Sequence, residues 1–248
     1  VIGVVLAAGA GRRLLPLTQE LPKTLLAVDE SGRTIFDVVV ANLAAAGVEH
    51  VVVVSGFAAD ALDGHIDRIA GDIPVPIETI RNERAEEWNN AYSLWLAREL
   101  FPAGVLLCNG DTVHPGDVER RLLGVPAMTA DSAVLLALDD RRVLGEEAMK
   151  VTVAPDGTVQ RINKAIDLTL AAGEYIGVSR IPSRVAGALA DALERTWRGD
   201  PSLYYEDGYQ RFIDDGGRVE TVPIGAAEWV EVDDKIDLDR AREIACHC

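Results

Sequence analysis

The feature that most restricts the folds open to this chain is a series of short apolar runs without polar alternation, at residues 2–6, 51–54 and within 104–109. Such runs suit strands covered on both faces, the condition met in parallel sheets with helices on either side. Between the first two runs, residues 34–46 carry Ile35, Val38, Val39, Leu43 and Ala46 near helical spacing. Residues 58–70 read as a second helix and 75–80 as a third strand. The order strand, helix, strand, helix, strand argues for the α/β class with right-handed crossovers. In such sheets ligands gather at the carboxyl ends of the strands. That rule puts the segment after Leu6, the Ser55-Gly56-Phe57 turn and the segment after Ile80 on one edge.

The later chain is less regular. Asn89 or Asn90 starts a helix running to Leu100, and the 104–109 strand ends in Gly110-Asp111-Thr112. Residues 131–138 read as a strand, and 150–153 with 158–164 as a hairpin about Pro155-Asp156-Gly157. A strand at 174–180, helices at 182–197 and 204–213, and strands at 219–222 and 229–232 follow. Asp234 caps a terminal helix reaching about Ala245, with Asp237 completing a capping box. No repeat or linker divides the chain, so residues 1–248 read as one domain with halves at 1–125 and 126–248.

Charge and cysteine use narrow the function classes. A formal net charge of −16 argues against a nucleic-acid surface, which needs a basic stripe. There is no apolar run long enough for a membrane span and no signal-peptide pattern, so the expected location is the cytoplasm. Cys108 reads as a core thiol, and Cys246-His247-Cys248 as a frayed chain end rather than a metal tag. Against the acidic background, Arg12, Arg13 and Lys23 form a local basic cluster.

These three follow Ala7-Ala8-Gly9-Ala10-Gly11 at the end of the first run. Small residues let backbone approach a ligand closely, and successive N–H groups make an anion-binding concavity. The dinucleotide fingerprint is excluded because the third glycine and the acidic residue closing the second strand are absent. A P-loop is excluded because Lys23 does not adjoin Gly11. The whole pattern, G-x-G-x-R-L-x-P-L-T-x-x-x-P-K, resembles the signature of nucleotidyltransferases, which join a nucleoside monophosphate to a phosphorylated small molecule. The resemblance implies a Rossmann-like three-layer α/β/α fold with a mixed, mostly parallel central sheet, a nucleotide-binding first half and an acceptor-binding second half. It further implies that Arg13 and Lys23 are catalytic. Leu6, Ala7, Ala8, Gly9, Gly11, Arg12, Gly56 and Gly110 would contact the nucleotide.

Asn82, Asn89, Asn90 and Ser93 form a block similar to that of CTP-using members such as the phosphocholine cytidylyltransferases, which implies CTP as donor and assigns these four to nucleotide binding. Asp111, at a strand tip, suits either an Asx turn or a Mg²⁺ ligand, and the family's first metal aspartate stands there. Trp229-Val230-Glu231-Val232-Asp233 resembles the motif that supplies the second metal carboxylate, implying Asp233, with Glu231 as a substitute. For the acceptor, the same likeness points to Lys150, Lys164, Glu174, Tyr175, Tyr205, Glu206 and Trp229. Aromatic faces beside carboxylates suit an ammonium group. The Lys150 and Lys164 pair looks more like relatives acting on inositol phosphate or aminoethylphosphonate. The expected partners are thus CTP and a small phosphorylated or phosphonylated acceptor, with a homodimer allowed. Two other readings are a sugar-1-phosphate nucleotidyltransferase using UTP or TTP and a non-catalytic nucleotide-binding module.

Overall fold

The structure is a computed structural model that describes residues 1–126 and 131–246. The first half runs β1 (Ile2–Ala7), α1 (Ile35–Ala46), β2 (Val51–Ser55), α2 (Ala59–Ile69), β3 (Ile77–Arg81), α3 (Asn90–Leu96), β4 (Val105–Asn109), β5 (Thr112–Val113) and α4 (Asp117–Leu123). The second half adds β6 (Val134–Asp139), β7 (Lys150–Val153), β8 (Val159–Asn163), β9 (Gly173–Ile181), α5 (Ala186–Gly199), α6 (Tyr205–Asp214), β10 (Val219–Pro223), β11 (Val230–Glu231) and α7 (Lys235–Ala245).

The main sheet follows the order β10-β6-β9-β4-β1-β2-β3, with β7 on β9 and β8 on β7. Strand β1 lies between β2 and β4 and is parallel to both; β2–β3 and β10–β6 are also parallel. Strand β9 runs antiparallel to β4 and β6 and joins the two halves. The expected mixed α/β sheet between helical layers is therefore found.

The unbroken apolar runs have a direct physical cause. Along β1 and β2, Val5, Ala7, Val51 and Val53 face a core shared with α1, α2, α4 and α7. Their neighbours Val4, Leu6, Val52 and Val54 face a second core shared with α3, α5 and α6. Both faces are covered, and each fully buried Val or Leu contributes about 1.5–3 kcal/mol.

Several boundaries differ from expectation, among them the start of the 131–138 strand at Val134 and of the 182–197 helix at Ala186. Strand β3 starts at Ile77 rather than Val75, because Pro76 has no N–H to give the ladder. Helix α3 stops at Leu96, and Arg98–Ala103 continues as a 3-10 turn. Pro102 lies within that turn and in an α-helix would clash with the carbonyl four residues back. Only Val230–Glu231 of the 229–232 run pairs as a strand, antiparallel to β5. Cys108 is buried as expected and Cys246 is exposed; His247 and Cys248 lie outside the described residues. No helix among the described residues is long and apolar enough to cross a membrane.

Candidate active site

The carboxyl ends of β1 and β4 open onto a cleft of about 250 Å³. At one side Lys23 Nζ lies 2.7 Å from Asp111 Oδ2 and 3.1 Å from Asp233 Oδ1. Arg13 reaches the other oxygen of Asp233 at 2.8 Å. Lys23 begins a 3-10 turn closing the long glycine loop, Asp111 sits two residues past β4, and Asp233 follows β11. The β11–β5 pair and the Val232 N–H bonded to the Asp111 carbonyl at 2.9 Å hold the two carboxylate-bearing loops together. Burial opposes the Lys23 charge, but the pull of Asp111, Asp233 and then Glu231 outweighs it and raises the lysine pKa. The cleft is smaller than the roughly 300–1,000 Å³ of ordinary ligand pockets, and these ion pairs lie across it.

Asp234 leaves this network. Its Oδ1 accepts the N–H groups of Ile236 and Asp237 and caps α7, which assigns the cap to Asp234 and leaves Asp233 for the cleft. Glu231 is exposed and also lines the cleft. Loss of solvent, and next the Asp111 and Asp233 charges, raise its pKa.

The wall from the first half contains Leu6, Ala8 and Gly9 together with Asn89, Asn90 and Ser93. Asn89 and Asn90 are also structural. Asn89 accepts the Asn90 N–H at 2.8 Å and donates to the Ser202 carbonyl; Asn90 Oδ1 accepts the Tyr205 N–H at 2.9 Å. They tie α3 to α6, so capping and cleft lining are carried by the same residues. From the second half come Lys164, Tyr175 and Glu206. Glu206 is only 5% exposed, and removal from water pushes its carboxyl up to about 7.

Ten residues expected at the site do not line the cleft. Lys150 is buried and its ammonium donates to the carbonyls of Glu146, Ala148 and Lys164, so it braces the β7 hairpin instead of meeting an acceptor phosphate. Trp229 is buried, its indole N–H donating to Asp139 at 2.7 Å. Glu174 pairs in register with Lys150 and Asp139 at the edge of β9. Tyr205 is fully buried, its hydroxyl 3.0 Å from Asn109 Oδ1 and 3.1 Å from the Tyr175 hydroxyl. Asn82 is buried and donates to Ser93 at 2.9 Å, so it positions Ser93. Arg12 points away, 3.9 Å from Glu86, with both side chains exposed. Ala7 belongs to the core.

The three glycines act through packing. A Cβ at Gly11 would lie 2.9 Å from Lys23 Cβ, and its φ of +56° favours glycine, so this residue lets the lysine stem pass. At Gly56 a Cβ would meet Ala85 Cβ at 2.3 Å, and at Gly110 the Leu6 carbonyl at 2.7 Å.

The cleft also includes Trp88, Asn109, Glu147, Met149, Gly177 and Tyr204, which the sequence reading does not assign. Two of these had a signal. Asn109 ends a strand beside Gly110-Asp111, and a glycine inside β9 marks a close approach. A Cβ on Gly177 would lie 2.5 Å from Asn109 Nδ2. Trp88, Glu147 and Met149 sit in loops and left no such mark.

A Mg²⁺ ion fits these donors. Asp111 Oδ1 is buried with no hydrogen-bond partner, and hard carboxylate oxygens suit Mg²⁺. No group of three or more His, Cys, Asp or Glu side chains poised for a metal occurs among the described residues. Two carboxylates completed by substrate phosphate oxygens are the usual Mg²⁺ arrangement.

The nucleotidyl transferase family model matches residues 2–135. The CTP:phosphoglutamine cytidylyltransferase of Campylobacter jejuni is 35% identical, over 95% of this chain and 97% of its own length. The bifunctional IPC transferase and DIPP synthase of Aquifex aeolicus is 37% identical over 97% of this chain. The chain spans half or less of the length of two curated relatives it matches. Among solved structures, the inositol-1-phosphate CTP transferase from T. maritima superposes with a TM-score of 0.78 at 23% identity, covering 98% of this chain and 95% of that one.

Proposed function

This chain belongs to the nucleotidyl transferase family, and we propose that it transfers CMP from CTP to the phosphate or phosphonate of a small acceptor, releasing pyrophosphate, with Mg²⁺ bound at Asp111 and Asp233. The observation that carries the reaction class is one ammonium, Lys23 Nζ, held between two carboxylates far apart in sequence, Asp111 and Asp233, beside the glycine loop. CTP as donor draws its support from the Campylobacter relative, which is named for it and aligns over nearly the whole chain.

The acceptor oxyanion attacks the α-phosphorus of CTP. A P–O bond to the acceptor forms, the bond to the β-phosphate oxygen breaks, and pyrophosphate leaves with the electron pair. A phosphate or phosphonate oxyanion is already nucleophilic, so no general base is needed. Catalysis then consists of positioning and charge stabilisation. Lys23 moves from its carboxylates toward the α-phosphate, where negative charge builds, and Arg13 toward the β- and γ-phosphates. Leu6, Ala8 and Gly9 let the nucleotide approach the end of β1, and Asn89, Asn90 and Ser93 offer hydrogen bonds along the wall. When bound, Mg²⁺ supplies further neutralisation at the phosphates.

Pyrophosphate release measured with each nucleoside triphosphate against panels of phosphorylated and phosphonylated acceptors tests this reading. CTP is expected to be the donor. Turnover of UTP or TTP with a hexose 1-phosphate, and none of CTP with any acceptor, would replace it.

A further inference from the structure

The acceptor wall contains a buried carboxyl group whose bonding is incomplete. Glu206 lines the cleft, is 5% exposed, and its Oε2 is sealed from solvent with no hydrogen-bond partner. An orphaned buried acceptor has lost its bonds to water and received none in return, so a ligand that donates to it gains correspondingly. Lys164, the nearby cation, is paired with Glu147 at 3.6 Å.

The aromatic rings of the cleft already have partners, although Tyr204 remains 40% exposed. Tyr175 is 3% exposed and packed edge-on against Tyr205 and Tyr209. Tyr204 carries Lys164 Nζ at 5.4 Å from its ring centre. Trp88 stacks on Trp197 at 5.4 Å and holds Arg84 at 5.4 Å. A quaternary ammonium needs open ring faces and has no N–H to give.

Resting on the cytidylyl-transfer reading, we infer that the acceptor carries an N–H-bearing nitrogen that donates to Glu206, and that this carboxyl group selects such acceptors over quaternary ammonium ones. Glu206 is a specificity-determining residue here and takes no part in bond making. The ammonium expected from the sequence is thereby narrowed to one that retains its hydrogens.

Phosphoethanolamine and phosphocholine test this cleanly, because they share phosphate and spacing and differ only in the methyls that remove every N–H. 2-Aminoethylphosphonate and ethylphosphonate form a second pair. With CTP and Mg²⁺, the N–H-bearing member of each pair should have at least tenfold higher kcat/KM. Glu206→Leu, similar in volume and without an acceptor, should raise the KM for the amine at least tenfold and collapse the ratio, while the KM for CTP changes less than twofold. Glu206→Gln, which keeps a carbonyl oxygen, should fall between. A thermal melt of each variant reports folding, and the KM of CTP reports the intact nucleotide side. Use of an amide-bearing acceptor above both amines, with the same Glu206 dependence, keeps the inference and assigns the N–H to an amide. Equal or better use of phosphocholine, ethylphosphonate or an inositol phosphate would overturn it. So would an unchanged amine KM in Glu206→Leu, or CTP binding without use of any N–H-bearing acceptor. Failure to bind or turn over CTP at all would instead remove the cytidylyl-transfer reading.

Discussion

Lys23 sits between Asp111 and Asp233, where its ammonium competes with any divalent cation for the same oxygens. Replacing it should have two opposite effects. In Lys23→Met, turnover should fall at least a hundredfold, a loss of about 2.7 kcal/mol of transition-state stabilisation; near-normal turnover would remove Lys23 from the reaction. In nucleotide-free protein the same variant should bind Mn²⁺ more tightly than the parent, seen by calorimetry or paramagnetic resonance, because the internal counter-ion is gone. Glu206 supports a pH prediction. Its folded pKa of about 7 lies above the ordinary 4.5, so between these values the folded state holds a proton that the unfolded state has lost. Stability is fully retained below pH 4.5, falls as pH rises through the window, and levels off above about 7. The drop should approach at most about 3 kcal/mol. Glu206→Gln should flatten that part of the urea-stability profile, and an unchanged slope would place the titration elsewhere.

At the scale of elements, the site is built from strand ends and the caps beside them. Helix α7 begins at Asp234, whose carboxylate accepts two backbone N–H groups, while Asp237 returns a bond to the Asp234 N–H and reaches the Asp233 N–H at 3.1 Å. Asp234→Ala should therefore cost about 1 kcal/mol of stability by urea titration. Metal titration should change much more in Asp233→Asn than in Asp234→Ala. The reverse order would exchange the roles of the two residues. Strand β9 presents a second case. Gly177 has a φ of +80°, and a Cβ would press on Asn109 at the tip of β4. Gly177→Ala should lower the Tm and raise the KM for substrates, because strain and displacement arise where β9 meets the cleft floor.

For the whole molecule, the cleft is where the two halves meet. Arg13, Lys23 and Asp111 come from the first, and Asp233, Lys164 and Glu206 from the second. A ligand filling it binds the folded chain and not the unfolded one, so it stabilises by mass action. CTP with Mg²⁺ at a hundred times its Kd should add about 2.7 kcal/mol, read as a rise in Tm. An equal rise with every nucleoside triphosphate would show that the cleft does not discriminate bases. The net charge of −16 bears on solubility, while the local arginines and lysine set the character of the site.

Much of this was legible in the amino-acid order. Unbroken apolar runs such as 51–54, all valine and closed by Ser55-Gly56, suit strands covered on both faces, being too short and too β-branched for a buried helix. The glycine loop with its remote lysine, and aspartates at strand tips, marked the residues that converge, since strand ends share one edge of a parallel sheet. Tertiary structure alone decided which polar groups remain available. Lys150 and Lys164 look alike in sequence, but three backbone carbonyls enclose the first and the second reaches the cleft. Trp229 was taken up by Asp139, 90 positions away. Tyr205 was sealed among tyrosines, and Glu206 beside it kept an unpaired oxygen. Residue type and spacing specify which groups stand where the strands end. Whether a given group is spent on its own fold or left for a ligand depends on partners brought from distant parts of the chain.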